Sequence, residues 1–166
     1  SATVENAGSI TAVAELTVTA KDQAAVDGKS ALATGVHQEA HGSEATLGVA
    51  NGGTITAYAT MASYSTSGTA SALAHAYGID QQADTIGENV ADIYNDGTIS
   101  AAATADAEGE LYSTAYAYST GIDQEGYGAS ATLTITNHGD VVATGTATAD
   151  PDIRAYAYAV ASGIDQ

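Results

Sequence analysis

The sequence predicts an all-β protein in which four similar repeats stack as the rungs of a β-solenoid, with about 43 residues per rung. Three observations lead to this fold class. Two short phrases recur in step along the whole chain, and the residues between them alternate in character with period two. Large core residues are nearly absent, since the chain has no Phe, no Trp and one Met.

The repeat is defined by two phrases that keep a common period. The phrase Asn-x-Gly-x-Ile/Val begins at Asn6, Asn51, Asn95 and Asn137. The phrase Gly-Ile-Asp-Gln begins at Gly78, Gly121 and Gly163, with a divergent copy from Gly35 in which His37 replaces the aspartate. We therefore expect a single repeat domain over residues 1–166, with repeats at approximately 1–44, 45–88, 89–130 and 131–166.

Each repeat is predicted to contain three strands. A short strand ends at the Asn, a long strand follows Asn-x-Gly, and a third strand ends at Gly-Ile-Asp-Gln. In the second copy Ile55, Ala57 and Ala59 alternate with Thr56 and Tyr58, which is the periodicity of a strand. The glycine between the first two strands is expected to adopt a positive φ at a corner. These corner glycines are Gly8, Gly53, Gly97 and Gly139.

The inward side of every repeat carries mainly Ala and Gly, which predicts a thin, flattened core. Stacked rungs would lie about 4.8 Å apart, and small inward residues would let opposed sheets approach closer than the usual ~10 Å. The alternative is a sandwich of stacked antiparallel β-hairpins, because the links after the long strand are short, as at residues 107–110. The recurrence of Asn and Gln at fixed positions favours the solenoid.

Stacking would collect the recurring amides into two columns. The Asn column consists of Asn6, Asn51, Asn95 and Asn137, and the Gln column consists of Gln38, Gln81, Gln124 and Gln166. An amide side chain both donates and accepts, so each one can hydrogen-bond to its equivalent in the next rung. We expect both columns to be structural, because a buried amide left unpaired costs on the order of 1–3 kcal/mol.

The same stacking would place carboxylates over one another in an acidic column. This column consists of His37, Asp80, Asp123 and Asp165. Ionised carboxylates about 4.8 Å apart repel by roughly 0.9 kcal/mol in a water-like dielectric. Solvation, contacts to turn amides, raised carboxyl pKa values or bound Ca²⁺ would relieve the repulsion, so the three aspartates are the sequence's metal candidates. No other cofactor is expected, and the Gly-rich nonapeptide of calcium-loaded β-rolls is absent.

Composition and motifs argue against several classes of function. The formal net charge is −17 at pH 7, so nucleic acid and anionic membrane surfaces would be repelled. No apolar run is long enough to predict membrane insertion. No nucleophile elbow and no phosphate-binding loop occurs, and we expect no enzymatic activity. A polysaccharide-active β-helix enzyme that uses Asp80, Asp123 and Glu125 is the less favoured alternative.

Tyrosine is the only large aromatic residue type, and it alternates with Ala in the predicted third strands. The predicted interaction face consists of Tyr112, Tyr116, Tyr118, Tyr156 and Tyr158. Such a face either stabilises the sheet through cross-strand aromatic pairs or offers an amphipathic surface to a ligand.

The pattern Asn-x-Gly-x-Ile-x-Ala-x-Ala, closed by Ala-x-Ala-x-Gly-Ile-x-Gln, resembles the Ala/Thr-rich β-strand repeats of bacterial autotransporter passengers and surface adhesins. The resemblance covers all four copies and implies an extracellular or cell-surface β-solenoid. We expect a structural protein that forms a fibre, stalk or surface layer. It would self-associate head to tail or laterally, because open strand edges recruit further strands. An adhesin that binds carbohydrate or surface proteins through the Tyr/Thr face is the alternative.

Overall fold

The computed structural model describes residues 1–21, 23, 24, 30–151 and 153–166. The described residues form thirteen strands in three sheets and contain no helix. The predicted all-β class is therefore confirmed. Within these residues, no helix has the length and apolar character that crossing a membrane requires.

Each sheet collects equivalent strands from successive repeats. Sheet 1 contains β1 (Ala2–Asn6), β5 (Ala45–Asn51), β8 (Glu88–Asn95) and β11 (Ser130–Asn137). Sheet 2 contains β2 (Ser9–Ala20), β6 (Thr54–Ser65), β9 (Thr98–Gly109) and β12 (Asp140–Pro151). Sheet 3 contains β3 (Gln23–Ala24) and β4 (Ala31–Gly42), both paired with β7 (Thr69–Thr85), followed by β10 (Tyr112–Tyr127) and β13 (Arg154–Asp165).

All strand pairings in the described chain are parallel and join counterparts in neighbouring repeats. Asn51, for example, pairs with Asn6 on one side and with Asn95 on the other. The antiparallel hairpin sandwich is therefore wrong for these strands. A hairpin would pair consecutive strands of one repeat, whereas here consecutive strands belong to different sheets.

The core consists of small and branched aliphatic side chains between these sheets. Its largest part lies between sheet 2 and the first half of sheet 3 and is almost entirely Ala, with Met61 as an exception. A second part lies where the three sheets meet, and its buried members are Val36, Val49, Ile55, Ile79, Ile93, Ile99 and Ile122. A third, smaller cluster between sheet 1 and the second half of sheet 3 contains Ala45, Leu47, Ala83 and Ala91.

Sheets 2 and 3 approach closely enough for a serine hydroxyl of one sheet to reach the backbone of the other. The Ser119 hydroxyl donates to the Ala101 carbonyl oxygen at 2.7 Å, and the Ser113 hydroxyl donates to the Asp150 carbonyl oxygen at 3.1 Å. The short Ser and Ala side chains therefore set the distance between the two sheets.

The corner glycines do not have the predicted conformation. Gly42 is the only described residue with a positive φ, so the expectation for Gly8, Gly53, Gly97 and Gly139 is wrong. Gly53, Gly97 and Gly139 need glycine because the preceding repeat approaches closely there, whereas a Cβ at Gly8 meets no atom within 4 Å. A Cβ at Gly53 would collide with the Gly8 carbonyl oxygen, and a Cβ at Gly97 would collide with the Gly53 carbonyl oxygen.

The third strand of the middle repeats continues past the predicted end at Gln. β7 runs to Thr85 and β10 runs to Tyr127. The alternation is interrupted at Gly78 and Ile79, which are both buried, and resumes beyond them. This interruption, the bend of sheet 3, lets one strand cover the Ala core with its first half and sheet 1 with its second half.

Candidate functional site

The Asn column lies where the chain passes from sheet 1 to sheet 2. Asn6 Nδ2 donates to Asn51 Oδ1 at 2.8 Å, Asn51 Nδ2 to Asn95 Oδ1 at 2.7 Å, and Asn95 Nδ2 to Asn137 Oδ1 at 2.6 Å. Each inter-repeat bond is thus donated by the earlier repeat to the later one. The two middle asparagines are buried, so these bonds satisfy polar groups that water does not reach.

The Gln column lies in sheet 3, beyond the bend, and its bonds run in the opposite direction. Gln81 Nε2 donates to Gln38 Oε1, Gln124 Nε2 to Gln81 Oε1, and Gln166 Nε2 to Gln124 Oε1, each at 2.8 Å. Here the later repeat donates to the earlier one. Two of these amides also bond to sheet 1. Gln38 Nε2 donates to the Gly48 carbonyl oxygen, and Gln124 Nε2 donates to the Ala91 carbonyl oxygen.

The acidic column lies on the outward face of sheet 3, next to the Gln column. His37, Asp80, Asp123 and Asp165 occupy successive positions in the strand register. His37 Nδ1 lies 2.9 Å from Asp80 Oδ2, so a histidine closes one end of the column. Partial burial, followed by the charges of Asp80, Glu125 and Asp165, raises the pKa of Asp123 to about 6. The middle carboxylate is therefore the least well compensated member.

The three aspartates are aligned in a row and do not converge on one point. Within the described residues, no group of three or more His, Asp or Glu side chains has an arrangement that would hold a metal ion. The raised pKa of Asp123 is one of the alternatives to Ca²⁺ that the sequence left open.

Several pairs of histidine and acid lie on the exposed surface and were missed by the sequence analysis. His41 Nε2 lies 2.7 Å from Glu39 Oε1, and His138 Nδ1 lies 3.2 Å from Asp96 Oδ1. The second pair joins equivalent positions of neighbouring repeats, one residue after the Asn of the first phrase. Comparing residues one repeat apart would have found it.

Four of the five predicted face tyrosines lie together on the outward side of sheet 3. With His75 they form the aromatic patch, defined as His75, Tyr116, Tyr118, Tyr156 and Tyr158. Tyr112 lies at the start of β10, paired with Arg154, and has no ring contact among the described residues. His75 stacks on Tyr118 with ring centroids 4.9 Å apart, a contact that the sequence analysis did not predict. Burial lowers the pKa of His75, which favours the neutral ring.

Two shallow depressions lie near the ends of strands. One, of about 360 Å³, includes Asp123, Glu125, Tyr127 and Asp165 in its lining, which contains no His, Cys or Ser. The other, of about 410 Å³, is lined by Tyr64, Ser65, Thr66, Glu108, Gly109, Glu110, Asp150 and Pro151. The buried Ser65 hydroxyl has no hydrogen-bond partner among the described residues. Neither lining combines a nucleophile with a histidine base.

The columns, the patch and the depressions are the structural features from which a function can be inferred. No family model, curated protein or solved structure matches the chain. Support for a function therefore comes from the geometry of these features and of the outer strands of repeats 1 and 4.

Proposed function

We propose that the chain is a β-solenoid with a structural role, whose copies stack head to tail into an extended fibre, stalk or surface layer. In each sheet the outer strands belong to repeat 1 at one edge and to repeat 4 at the other. A second copy that places its repeat 1 on repeat 4 would continue all three parallel sheets. The edge backbone groups of both copies would then be paired.

The observation that carries this proposal is the opposite polarity of the two amide columns. At the repeat 4 end, Asn137 Oδ1 and Gln166 Nε2 bond to the preceding repeat. An Nδ2 hydrogen of Asn137 and the Oε1 atom of Gln166 therefore remain for the next copy. At the repeat 1 end, Asn6 offers a lone pair of Oδ1 and Gln38 offers an Nε2 hydrogen. Each free donor would meet a free acceptor in a head-to-tail stack. Joining two identical ends with each column against its own counterpart would oppose donor to donor and acceptor to acceptor.

Charge at the two ends also favours this stacking. Extending the observed register places His37 of the next copy on Asp165, repeating the contact between His37 and Asp80. The same register places Glu15 of the next copy on Thr146 and Thr19 on Asp150. In these three positions no carboxylate faces a carboxylate, although the chain carries 20 acidic residues and a net charge of −17.

Two end glycines provide a direct test. A Cβ at Gly8 or at Gly163 meets no atom within 4 Å, whereas the equivalent Gly53 and Gly121 face the backbone of a neighbouring repeat. In a stack, Gly8 would face Gly139 of the preceding copy and Gly163 would face Gly35 of the next. Gly8→Ala and Gly163→Ala should therefore leave the monomer intact and block opposite ends.

The experiment measures particle mass by light scattering and shape by negative-stain electron microscopy. We expect rods from the unaltered chain, single copies from each variant alone, and dimers when the two variants are mixed, because one unblocked end of each kind remains. Gly48→Ala is the matched control, since its Cβ meets only Thr3 at an ordinary 3.7 Å. Single copies of the unaltered chain, rods of either variant, or no dimers in the mixture would overturn the proposal.

We propose an extracellular or bacterial cell-surface location, supported by the resemblance of the repeats to autotransporter passengers and surface adhesins. We also propose that the protein acts without catalysing a reaction. Asp80, Asp123 and Asp165 lie in a row at equivalent positions of successive repeats, and the depression beside Asp123 has no His, Cys or Ser in its lining. Catalysis generally requires groups that converge on one substrate.

A further inference from the structure

The aromatic patch is an exposed surface on the outward face of sheet 3, and head-to-tail stacking would place the next copy beside it, along β13, and not over it. Tyr156 and Tyr158 are 52% and 45% exposed. Three rings form a nearly regular triangle, with centroid distances of 6.4 Å for Tyr116 to Tyr118, 6.4 Å for Tyr116 to Tyr158 and 6.1 Å for Tyr118 to Tyr158. The rings of Tyr156 and Tyr158 are therefore accessible to a ligand in the single chain.

The ring planes favour a compact cation over a flat ligand. Tyr116 and Tyr118 are nearly parallel, at 7°, whereas Tyr158 is inclined by 64° to Tyr116 and by 58° to Tyr118, so the three rings share no common plane for stacking a sugar ring. A cation above its centre would lie within about 6 Å of all three centroids, the range of cation–π attraction. Several aromatic rings gathered around one point are the arrangement by which proteins bind ammonium groups.

Charge on the same face favours the same class of ligand. Beyond the bend, the outward side of β10 carries Asp123 and Glu125, flanked in the register by Asp80 and Asp165. All ion contacts within the described residues involve histidine, so none of these carboxylates is paired there with Lys or Arg. A net charge of −17 would also attract cations to the surface and repel anions.

The spacing of the two features fits an extended chain with several cationic side chains. Tyr118 and Asp123 are five residues apart along β10, or about 16 Å at ~3.3 Å per residue before the bend is considered. An extended peptide repeats its side-chain direction every two residues, or about 6.6 Å. A basic residue over the triangle and another four residues later would therefore reach both the rings and the acidic column.

We propose that the aromatic patch and the neighbouring acidic column bind a Lys- or Arg-rich extended segment of a partner protein. The rings would hold one cationic side chain by cation–π attraction, and the carboxylates would hold the next. Tyr158 and Asp165 belong to β13, the outer strand onto which the next copy would stack. Peptide binding is therefore measured on the full chain carrying Gly8→Ala, which blocks the repeat 1 end without altering β13.

The test measures binding of a fluorescent peptide of alternating Lys and Ser to the full chain, by anisotropy at low and high salt. A glutamate–serine peptide of equal length and a neutral glucose hexasaccharide serve as competitors. We expect Tyr116→Ala combined with Tyr158→Ala to weaken binding of the basic peptide at least tenfold. Tyr158→Leu alone, at an exposed position of the outer strand β13, gives a second variant with little risk to folding.

Tyr58→Ala is the matched control, because Tyr58 is 47% exposed on sheet 2 and its removal leaves the net charge unchanged. We expect this variant to bind within twofold of the unaltered chain, and Asp123→Asn to bind more weakly. Equal peptide binding by the patch variants and the control variant would show that only the overall charge of the chain attracts the peptide, and it would overturn the proposal. So would absence of binding, or displacement of the peptide by the neutral hexasaccharide.

Discussion

The Asn and Gln columns and the acidic column are built in the same way, by placing equivalent residues of successive repeats next to one another, but their bonding differs. Each amide pair closes at 2.6–2.8 Å because one amide donates and its neighbour accepts. Ionised carboxylates only accept, and partial burial of Asp123, followed by the like charges around it, raises its pKa to about 6.

The comparison shows which side chains tolerate repetition at this spacing. An amide can be repeated without limit in the interior, and every added copy satisfies the one before it. A carboxylate can be repeated only on the surface, where water screens the charges. At the repeat 1 end of the acidic column, His37 stands in place of an aspartate and contacts Asp80.

The largest predicted effect comes from changing the spacing of the repeats, on which both kinds of column depend. Gly97→Ala would drive a Cβ into the Gly53 carbonyl oxygen of the preceding repeat. We expect the free energy of unfolding to fall by at least about 4 kcal/mol, measured by urea denaturation. Gly48→Ala, whose Cβ would meet only Thr3 at an ordinary 3.7 Å, should stay within about 1 kcal/mol of the unaltered chain. Similar losses in the two variants would contradict the close-approach explanation.

The next effect comes from breaking an amide column in its middle. Asn95→Leu would remove one acceptor of the buried Asn51 Nδ2, which would keep only its bond to the Thr98 carbonyl oxygen, and the donor to Asn137 Oδ1. We expect a loss of about 2–4 kcal/mol in the free energy of unfolding, measured by urea denaturation. Asn137→Leu, at the exposed end of the column, should cost clearly less. Equal losses would show that the column does not act through its inter-repeat bonds.

Removing a charge from the acidic column should have the opposite sign. At pH 7.5 Asp123→Asn relieves repulsion by Asp80 and Asp165, worth roughly 0.9 kcal/mol per pair with water-like screening, so the melting temperature should rise. Asp106→Asn, whose register neighbours are Ala62 and Thr148, is the matched control and should change little. A fall in melting temperature for Asp123→Asn would contradict this account.

The raised pKa of Asp123 predicts that the stability of the protein depends on pH. The folded pKa of Asp123, about 6, lies above its ordinary value of 3.8, so the folded state holds this proton more tightly than the unfolded state. Its contribution to stability is therefore complete below about pH 3.8 and is lost as the pH rises through 6. Melting curves between pH 4 and 7.5 should show a decline for the unaltered chain that is smaller in Asp123→Asn. An equal decline in both would assign it to other groups.

The smallest effect concerns like charges at the proposed junction between copies. Thr146→Glu would place a carboxylate opposite Glu15 of the next copy, whereas Thr146→Lys would place an ammonium there. At about 4.8 Å and water-like screening the difference from neutral is roughly 0.9 kcal/mol, or about fivefold in the association constant. Light scattering should show weaker assembly for the first variant and stronger assembly for the second. Combining Thr146→Glu with Glu15→Lys should restore assembly, and failure of this rescue would count against the register.

The amide columns and the buried face of the strands could be predicted by comparing residues one repeat apart in the sequence. The period placed each Asn and each Gln beside its equivalent, and the alternation assigned Ala57 and Ala59 to the buried face. The participation of His75 in the aromatic patch was missed, because it stands where the next repeat has a tyrosine and no phrase marks it. The extension of β7 to Thr85 was missed because two consecutive buried residues interrupt the alternation used to follow a strand.

The sequence by itself determined the repeat period, the face on which each residue lies and therefore which residues can share a column. These properties follow from the order of residues along an extended backbone, which fixes alternation and spacing. Only the tertiary structure decided that the strands are parallel, that the two amide columns donate in opposite directions and that the corner glycines serve close approach. These properties depend on how one repeat sits on the next, and the distance and direction between two backbones are not contained in the pattern of either one.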